Sequence, residues 1–248
     1  MQRERSDEPA GHPLSLTGER TLPGIASENY WFRRHEAAYR FVCGRLPAGA
    51  SVLDAGCGEG YGAAVLDAAG AKVTAAELDA PAAEHAAATY PALRALRADA
   101  CRLPFRPASF DAVVAMQVLE HLWCPEEFVA RGREVLRPGG VFVLSTPNRP
   151  TFSPEGVRNP FHTHEYSAEE LAALLGRAFA NVEVLGVRPG IYLRSLDVLA
   201  AGSLQHDLMR TPYDELPRKL RTGIRMVRAG HFRVGPAEGS LDLLAVAS

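Results

Sequence analysis

The residues best suited to chemistry lie in a glycine-rich segment, residues 52–62, which reads VLDAGCGEGYG. A short apolar run precedes its glycines and an alanine-rich run follows them, so the segment predicts a turn from a buried strand into a helix. Glycines at such a turn let a ligand approach the backbone, and the helix N-terminus offers unpaired N–H groups. On this pattern alone, NAD, FAD or another nucleotide could be bound.

Asp54 narrows the choice of ligand because it lies directly before the glycines. A carboxylate at this point would lie near any pyrophosphate held by the turn, and two negative charges at that range repel each other. S-adenosylmethionine has no phosphate and carries an ammonium and a sulfonium, which a carboxylate suits. Asp54 could also brace the loop by accepting backbone N–H bonds, and the two roles are compatible.

Two further acidic residues follow the next two predicted strands. Glu77 closes the second strand, where a carboxylate can accept both ribose hydroxyls of an adenosine, although it could also be an ordinary exposed strand end. Asp99 follows the third strand and can accept a hydrogen bond from an adenine amino group, while Ala100 leaves room for the ring. The Asp99–Ala100 pair is weak evidence by itself.

Two histidines are candidate general bases. His121 follows the fourth predicted strand and His162 lies in the loop after the fifth, so both are expected at the sheet edge where open α/β folds bind ligands. A hydroxyl group is a poor nucleophile at neutral pH, and a base within hydrogen-bond reach would promote its reaction. Each histidine could instead only hold a loop in place. His164 is a weaker candidate of the same kind.

The elements that must position these residues alternate along the chain. The expected strands are 51–56, 71–78, 93–98, 110–117 and 141–147, and the expected helices are 27–46, 60–69, 80–90 and 125–136. This alternation predicts right-handed βαβ units and a parallel sheet with helices on both faces. After a loop at 148–166, the pattern predicts a helix at 167–179 with a capping box, and strands at 181–187 and 240–247.

The remaining segments complete the predicted organisation. Residues 1–20 are polar and are expected to form a flexible arm, whereas 21–248 form one domain. Residues 190–235 carry two basic helical patterns, at 196–209 and 216–227, which predict an insertion that caps the acceptor site or forms a homodimer contact. Arg34, on the first helix, could pair with a ligand carboxylate or simply pack that helix against the sheet.

Composition excludes several classes of protein. With 248 residues, 47% of them hydrophobic, the chain can bury a full core, and its net charge of −2 gives no general attraction to nucleic acid. There is neither an apolar run long enough to span a membrane nor an N-terminal secretory signal. The four cysteines, at 43, 57, 101 and 124, form no C-x-x-C pair, which argues against a zinc site and against disulfides. These features predict a cytoplasmic protein without a metal.

Taken together, these residues resemble the class I S-adenosylmethionine-dependent methyltransferases, specifically the type 11 group. The matching stretches are VLDAGCGEG, AAELD, ADACRLPF, SFDAVVAMQVLEHL and EVLRPGGVFVLSTPN, with NPFHTHEYSAEEL as an extension. The resemblance implies a Rossmann-like, seven-stranded, mostly parallel sheet with an antiparallel last strand, and S-adenosylmethionine as the cofactor that leaves as S-adenosylhomocysteine. It assigns the methionine part of the cofactor to Asp54, Gly56, Cys57, Gly58 and Gln117, the ribose to Glu77 and Leu78, and the adenine to Asp99 and Ala100.

The acceptor is predicted from a shorter resemblance. The segment GERTLPGIASENYWFRRHEAAYRF is similar to that of actinobacterial methyltransferases associated with methylated polysaccharides, such as the methylglucose lipopolysaccharides. It implies O-methylation of a sugar or polysaccharide hydroxyl. The alternatives are a small-molecule acceptor methylated at C, N or O, and a non-catalytic S-adenosylmethionine-binding protein.

Two other enzyme classes fit less well. Asp54 and the VLEHL segment disfavour an NAD-dependent oxidoreductase. A nucleic-acid methyltransferase would have an acidic residue or Asn, two prolines and an aromatic residue after the fourth strand, where this chain has Met116-Gln117-Val118-Leu119.

Overall fold

The computed structural model describes residue 14 and residues 20–154, 156 and 159–248. Most of the arm predicted for 1–20 therefore lies outside the described residues. At the two positions that are described the chain is anchored: Leu14 is buried with Leu22 and Ala82, and Arg20 forms an ion pair of 2.8 Å with Asp79.

Eight strands of the described chain form one sheet. They are β1 (Ser51–Ala55), β2 (Lys72–Glu77), β3 (Arg94–Arg97), β4 (Phe110–Met116), β5 (Leu136–Pro147), β6 (Val182–Pro189), β7 (Phe232–Pro236) and β8 (Asp242–Ala247). Their order is β3-β2-β1-β4-β5-β8-β6-β7. The first five are parallel, β8 is antiparallel to β5 and β6, and β7 is antiparallel to β6. The α/β Rossmann-like fold is confirmed, with one strand more than the seven expected.

Nine α-helices accompany the sheet in the described ranges. They are α1 (Asn29–Cys43), α2 (Tyr61–Ala68), α3 (Ala80–Thr89), α4 (Pro125–Val135), α5 (Arg149–Phe152), α6 (Ala168–Leu175), α7 (Ile191–Leu199), α8 (Leu204–Arg210) and α9 (Arg218–Arg225). Successive strand residues point to opposite faces. Val52 belongs to the core cluster that includes residues of α1, α2 and α7–α9, whereas Leu53 belongs to the cluster that includes residues of α4 and α6. Because both faces are covered, the central strands are mostly apolar.

The segment 190–235 differs from the expected pair of helices. The pattern at 196–209 is broken because Ala201 and Gly202 adopt positive φ angles of 54° and 82°, which end α7 and separate it from α8. The segment also contributes the eighth strand, β7, through backbone pairing with β6. Since Leu196 and Ile224 belong to the same core cluster as Val52, the segment is part of the main core.

The cysteine prediction was wrong in one respect. Cys101 and Cys124 form a disulfide, while Cys43 and Cys57 are free. Cys101 lies in a 3-10 turn after β3, and Cys124 lies directly before α4, whose packing against that turn brings the two Cα atoms to 6.4 Å. A separation of 23 residues carries no signal of this packing. The cysteines therefore no longer support the argument for a reducing compartment. In the described part of the chain, no helix is both long and apolar enough to cross a bilayer.

Candidate active site

The predicted site residues converge at the carboxyl edge of the sheet, around the neighbouring strands β1 and β4. From β1 the chain order runs outwards to β2 and β3 on one side and to β4 and β5 on the other. In open α/β sheets, ligands bind in the crevice at this kind of switch point. Asp54 lies near the end of β1, Glu77 ends β2, and Gln117 follows β4.

The glycine-rich loop between β1 and α2 requires residues without a side chain. Gly56, Gly58 and Gly60 have φ angles of 79°, 57° and 100°, in the left-handed region that favours glycine. A Cβ on Gly56 would lie 2.5 Å from a methyl group of Val118. The N–H groups of Gly56 and Cys57 both donate to the carbonyl of Ala76, at 2.8 and 3.0 Å, and hold the loop against β2. The Cys57 side chain is buried.

Glu77 holds the same loop. Its Oε2 accepts a hydrogen bond of 2.8 Å from the Gly58 N–H, and its Oε1 accepts one of 2.9 Å from the Asp79 N–H. Both oxygens therefore have fixed positions, each with one lone pair left for a ligand hydroxyl. The next side chain, Leu78, is 57% exposed although it is apolar. An apolar surface beside a fixed carboxylate suits a nucleoside.

Asp54 is fully buried, and its carboxyl group accepts hydrogen bonds of 3.1 and 3.2 Å from the Tyr39 hydroxyl. Burial raises the pKa of Asp54 to about 7, which the Tyr39 hydrogen bond partly offsets. Tyr39 was not predicted as a site residue. Its position depends on Gly62, where a Cβ would lie 2.0 Å from the Tyr39 ring.

Two further predicted site residues, Asp99 and Gln117, are also held by hydrogen bonds. Asp99 Oδ1 accepts 2.9 Å from the Cys101 N–H and caps the 3-10 turn that contains Ala100. Gln117 has a φ of 58°, and its side-chain amide donates 3.1 Å to the hydroxyl of Ser145 on β5. The disulfide at Cys101 therefore lies beside the predicted adenine contacts.

Three side chains meet beyond the end of β4: Glu120 and His121, in the 3-10 turn Leu119–His121, and His162, in the loop after β5. Each offers a ligand or proton-accepting atom, and these atoms lie within 4.8 Å of one another. The two imidazole rings meet edge to face, with their centroids 5.1 Å apart. Both histidines therefore lie where the sequence predicted, together with a carboxylate that it did not predict.

The surroundings of this cluster orient its members. His121 Nδ1 lies 3.0 Å from the carbonyl of Phe161, so it carries the ring proton and donates it. His162 Nδ1 lies 2.9 Å from Oε1 of Glu165, whose side chain is fully buried. Thr146 donates 3.0 Å to Oε2 of Glu120. Burial raises the pKa of Glu120 to about 7, although the nearby His162 lowers it.

Comparisons with known proteins identify the family. A family profile described as a methyltransferase domain matches residues 53–144. A probable S-adenosylmethionine-dependent methyltransferase of Mycolicibacterium smegmatis is 45% identical over 94% of this chain and 95% of its own length. The chain belongs to the S-adenosylmethionine-dependent methyltransferases. A counterpart from Mycobacterium tuberculosis is 41% identical over 94% of this chain and 89% of its own length.

Two further comparisons extend the range of relatives of this methyltransferase. A ubiquinone biosynthesis O-methyltransferase of Xylella fastidiosa is 34% identical over 60% of this chain and 68% of its own length. Among solved structures, a possible histamine N-methyltransferase from Thermotoga maritima superposes with a TM-score of 0.60, at 19% identity, over 88% of this chain and 92% of that one. At this identity the superposition shows the shared fold alone.

The methyltransferase uses S-adenosyl-L-methionine, and the residues present fit it. The loop has open space at Gly58, where a Cβ would meet no heavy atom within 4 Å, and the buried Asp54 carboxylate can attract a cation. Asp54 lies directly before the glycine loop, where its negative charge would repel a pyrophosphate. The family assignment and the glycine loop therefore agree on a cationic, phosphate-free cofactor.

Arg34, for which the sequence left both a ligand carboxylate and a packing role open, has only protein partners among the described residues of this methyltransferase. Its guanidinium is 1% exposed and pairs with the carboxylate of Asp242 on β8, which is also buried. It further donates to the carbonyl of Leu241 at 2.9 Å and to Gln205 at 3.2 Å. These partners support the packing role, in which Arg34 holds α1 against the start of β8.

Sequence reasoning missed the groups that orient others. Tyr39 donates a hydrogen bond to Asp54, and Glu165 holds the His162 ring. Glu120 lies beside His121 and His162. Glu165 had a detectable signal, because it lies three residues after His162 in a polar loop. Tyr39 had none, since its contact with Asp54 depends on how α1 packs against β1.

Proposed function

We propose that this methyltransferase transfers the methyl group of S-adenosylmethionine to a hydroxyl of a sugar or polysaccharide. The observation that carries the proposal is the cluster of Glu120, His121 and His162, which gives the acceptor side of the edge groups able to remove a hydroxyl proton. The similarity of residues 18–41 to polysaccharide methyltransferases supports a saccharide. The related ubiquinone biosynthesis O-methyltransferase supports oxygen as the methylated atom.

The proposed cofactor contacts come from the residues of the carboxyl edge that lie outside the cluster of Glu120, His121 and His162. Asp54, Gly56, Cys57, Gly58 and Gln117 would contact the methionine part. The ribose would be held by Glu77 and Leu78, and the adenine by Asp99 and Ala100. We assign Arg34 a structural role, because Asp242 already neutralises its charge.

The leaving group of the reaction needs little assistance from the protein. The cofactor supplies a methyl group on a sulfonium, so the departing thioether is neutral and needs no acid. The chain has to align the acceptor oxygen with the methyl carbon, exclude water and promote loss of the hydroxyl proton. We propose His121 and His162 as the catalytic residues for the last task, since Nε2 of each ring is left free when Nδ1 is occupied.

A screen with radiolabelled S-adenosylmethionine tests the proposal. The acceptors are mono- and oligosaccharides on one side, and small phenols and amines on the other. We expect label in saccharides, with transfer reduced by about 10²- to 10⁴-fold in His121→Ala and His162→Ala. His164→Ala is the matched control, because His164 is 42% exposed and contacts Tyr166 and Glu170 rather than the cluster. Label confined to phenols or amines would overturn the saccharide assignment.

A further inference from the structure

The cluster of Glu120, His121 and His162 has more convergent donor atoms than a single general base requires. A base needs one free lone pair within reach of the hydroxyl. Here two imidazoles and one carboxylate each bring one nitrogen or oxygen atom within 4.8 Å of those of the others. Glu120 is 1% exposed, so its carboxylate is not one of the solvated acidic groups that occur on every protein surface.

The neighbouring residues prepare both histidines as metal ligands. A ligating histidine usually donates its other ring N–H to a carboxylate or a backbone carbonyl, which fixes the tautomer and the ring orientation. His162 Nδ1 faces the buried Glu165 carboxylate at 2.9 Å, and His121 Nδ1 faces the Phe161 carbonyl at 3.0 Å. On each ring Nε2 is therefore the nitrogen that the support does not occupy.

The carboxylate ligand is prepared in a similar way. Thr146 on β5 donates to Glu120 Oε2, which leaves Oε1 for a further partner. The loop that carries His162 is tied to the same turn, because the Thr163 N–H and hydroxyl both donate to the Glu120 carbonyl, at 2.7 and 2.9 Å. The three donor groups therefore come from segments that are held together independently of any ligand.

We infer that Glu120, His121 and His162 bind a divalent transition-metal cation such as Zn²⁺, Co²⁺ or Mn²⁺. Two imidazoles and a carboxylate form a ligand set that these cations accept, and three protein ligands leave coordination positions open for an acceptor. Ligand bonds of about 2.0–2.2 Å bring donor atoms to at most about 4 Å apart, so the side chains close by roughly 1 Å on binding.

This inference deepens the proposed function, on which its catalytic part rests: with a cation bound, His121 and His162 are its ligands, and the cation takes over from the two imidazoles the task of promoting loss of the hydroxyl proton. The bound cation accepts the sugar hydroxyl oxygen as a ligand and lowers the pKa of that hydroxyl. The O–H bond breaks and its proton passes to solvent water. The oxygen then forms its bond to the methyl carbon as the C–S bond breaks, and the electron pair of that bond stays on the sulfur of S-adenosylhomocysteine. No electron is transferred to or from the metal.

Titration with Co²⁺ alone tests the site without any acceptor. The whole protein is freed of metal by dialysis against EDTA and then followed by calorimetry and by the visible absorption of the cobalt. We expect one Co²⁺ per chain, displaced by Zn²⁺. A chain that binds no stoichiometric Co²⁺ overturns the inference, and this measurement on the unaltered protein does not depend on whether any variant folds.

Variants locate the cation. His121→Ala, His162→Ala and Glu120→Gln should each abolish stoichiometric Co²⁺ binding, and Glu165→Gln should weaken it about 10- to 100-fold through His162. His164→Ala should bind Co²⁺ as the unaltered protein does, and equal loss in this control would overturn the assignment. Retained S-adenosylmethionine binding shows that each variant is folded.

The activity measurement separates this inference from the proposed function. If saccharide methylation is lost in EDTA and returns with Co²⁺ or Mn²⁺, the activating role is supported. Undiminished saccharide methylation by the metal-free enzyme would overturn that role and leave the saccharide assignment intact. Stoichiometric Co²⁺ binding by an enzyme that methylates only phenols or amines would support the site while the proposed acceptor fails.

Discussion

The carboxyl group of Asp54 is buried at the end of β1, where its hydrogen-bond donor is the Tyr39 hydroxyl. Burial penalises the charged form and raises the pKa to about 7 from an ordinary value of 3.8. Without a ligand, a proton therefore occupies Asp54 in part of the molecules at neutral pH. A cation bound beside it would favour the ionised form.

We therefore expect cofactor binding to depend on pH. Below pH 7 the cofactor must displace a proton from Asp54, so its affinity should fall by up to about tenfold for each further pH unit, and binding should release protons. Calorimetry in two buffers of different ionisation enthalpy measures both effects. The Asp54→Asn variant should bind the cofactor weakly and with little pH dependence. The control is Glu120→Gln, which alters the other carboxyl group with a pKa of about 7 and should keep the pH dependence of cofactor affinity. Constant affinity through pH 7 in the unaltered protein would refute the assignment.

The same carboxyl group should make folding stability depend on pH. Its folded pKa exceeds its unfolded pKa, so the free energy of unfolding falls as pH rises from about 4 to about 7, by on the order of 4 kcal/mol if the full difference is realised. Asp54→Asn keeps an acceptor for Tyr39 without the charge, so it should be more stable than the parent above pH 7. Denaturant titration at several pH values tests this, and lower stability of the Asp54→Asn variant than of the parent at alkaline pH would contradict it.

Gly56 and Gly58 offer a matched comparison within one loop. Both have positive φ angles. A Cβ on Gly56 would meet a Val118 methyl group at 2.5 Å, whereas a Cβ on Gly58 would meet no heavy atom within 4 Å. Alanine at either position costs about 1–2 kcal/mol in backbone conformation. Gly56→Ala should lose further stability and cofactor affinity through the contact, and Val118→Ala should restore part of both. Equal losses in the two single alanine variants, by thermal unfolding and cofactor titration, would show that the contact does not matter.

At the scale of elements, the Arg34–Asp242 pair connects α1 to β8. Both side chains are almost fully buried, so removal of one partner leaves an uncompensated charge in the core. Arg34→Met should cost about 3–5 kcal/mol of unfolding free energy, and the double variant with Asp242→Leu should recover much of it. The exposed pair of Arg45 and Glu183 is the control, worth about 0–1 kcal/mol.

The double variant also decides the role of Arg34. If the guanidinium only holds α1 against β8, cofactor affinity should be retained once stability is recovered. Loss of cofactor affinity in a stable double variant, measured by calorimetry, would restore the prediction that Arg34 contacts the methionine carboxylate.

The elements themselves could be read from the sequence up to residue 147, because parallel strands covered on both faces give apolar runs such as 110–117 between helical patterns. β7 was missed since its strand character lies in backbone pairing with β6 rather than in side-chain alternation. The contact of Arg34 with Asp242 joins residues 208 positions apart, and only the packing of α1 over the sheet creates it. The glycine loop and Glu77 were predictable because a local turn sets their geometry.

At the scale of the whole molecule, the strand order divides the carboxyl edge into two halves. Asp99, Glu77 and the glycine loop follow β3, β2 and β1, whereas Glu120, His121 and His162 follow β4 and β5. The sulfonium and the acceptor oxygen would therefore meet between β1 and β4. Histidines and glycines far apart in the chain can share one reaction because parallel strands end at the same edge.

This division predicts that changes in the two halves affect different kinetic constants. Glu77→Ala removes two fixed hydrogen-bond acceptors and should raise the cofactor dissociation constant about 10- to 100-fold. The value of kcat at saturating cofactor should change little, because hydrogen bonds made equally in the ground state and the transition state do not lower the barrier. His162→Ala should leave cofactor affinity within about twofold and lower kcat, because its ring acts only where the acceptor ionises. Calorimetric cofactor titration and initial rates on the same preparations give both constants. If His162→Ala weakened cofactor binding as much as Glu77→Ala, the loop after β5 would have to cover the cofactor, and the separation of the two halves at the junction of β1 and β4 would be wrong.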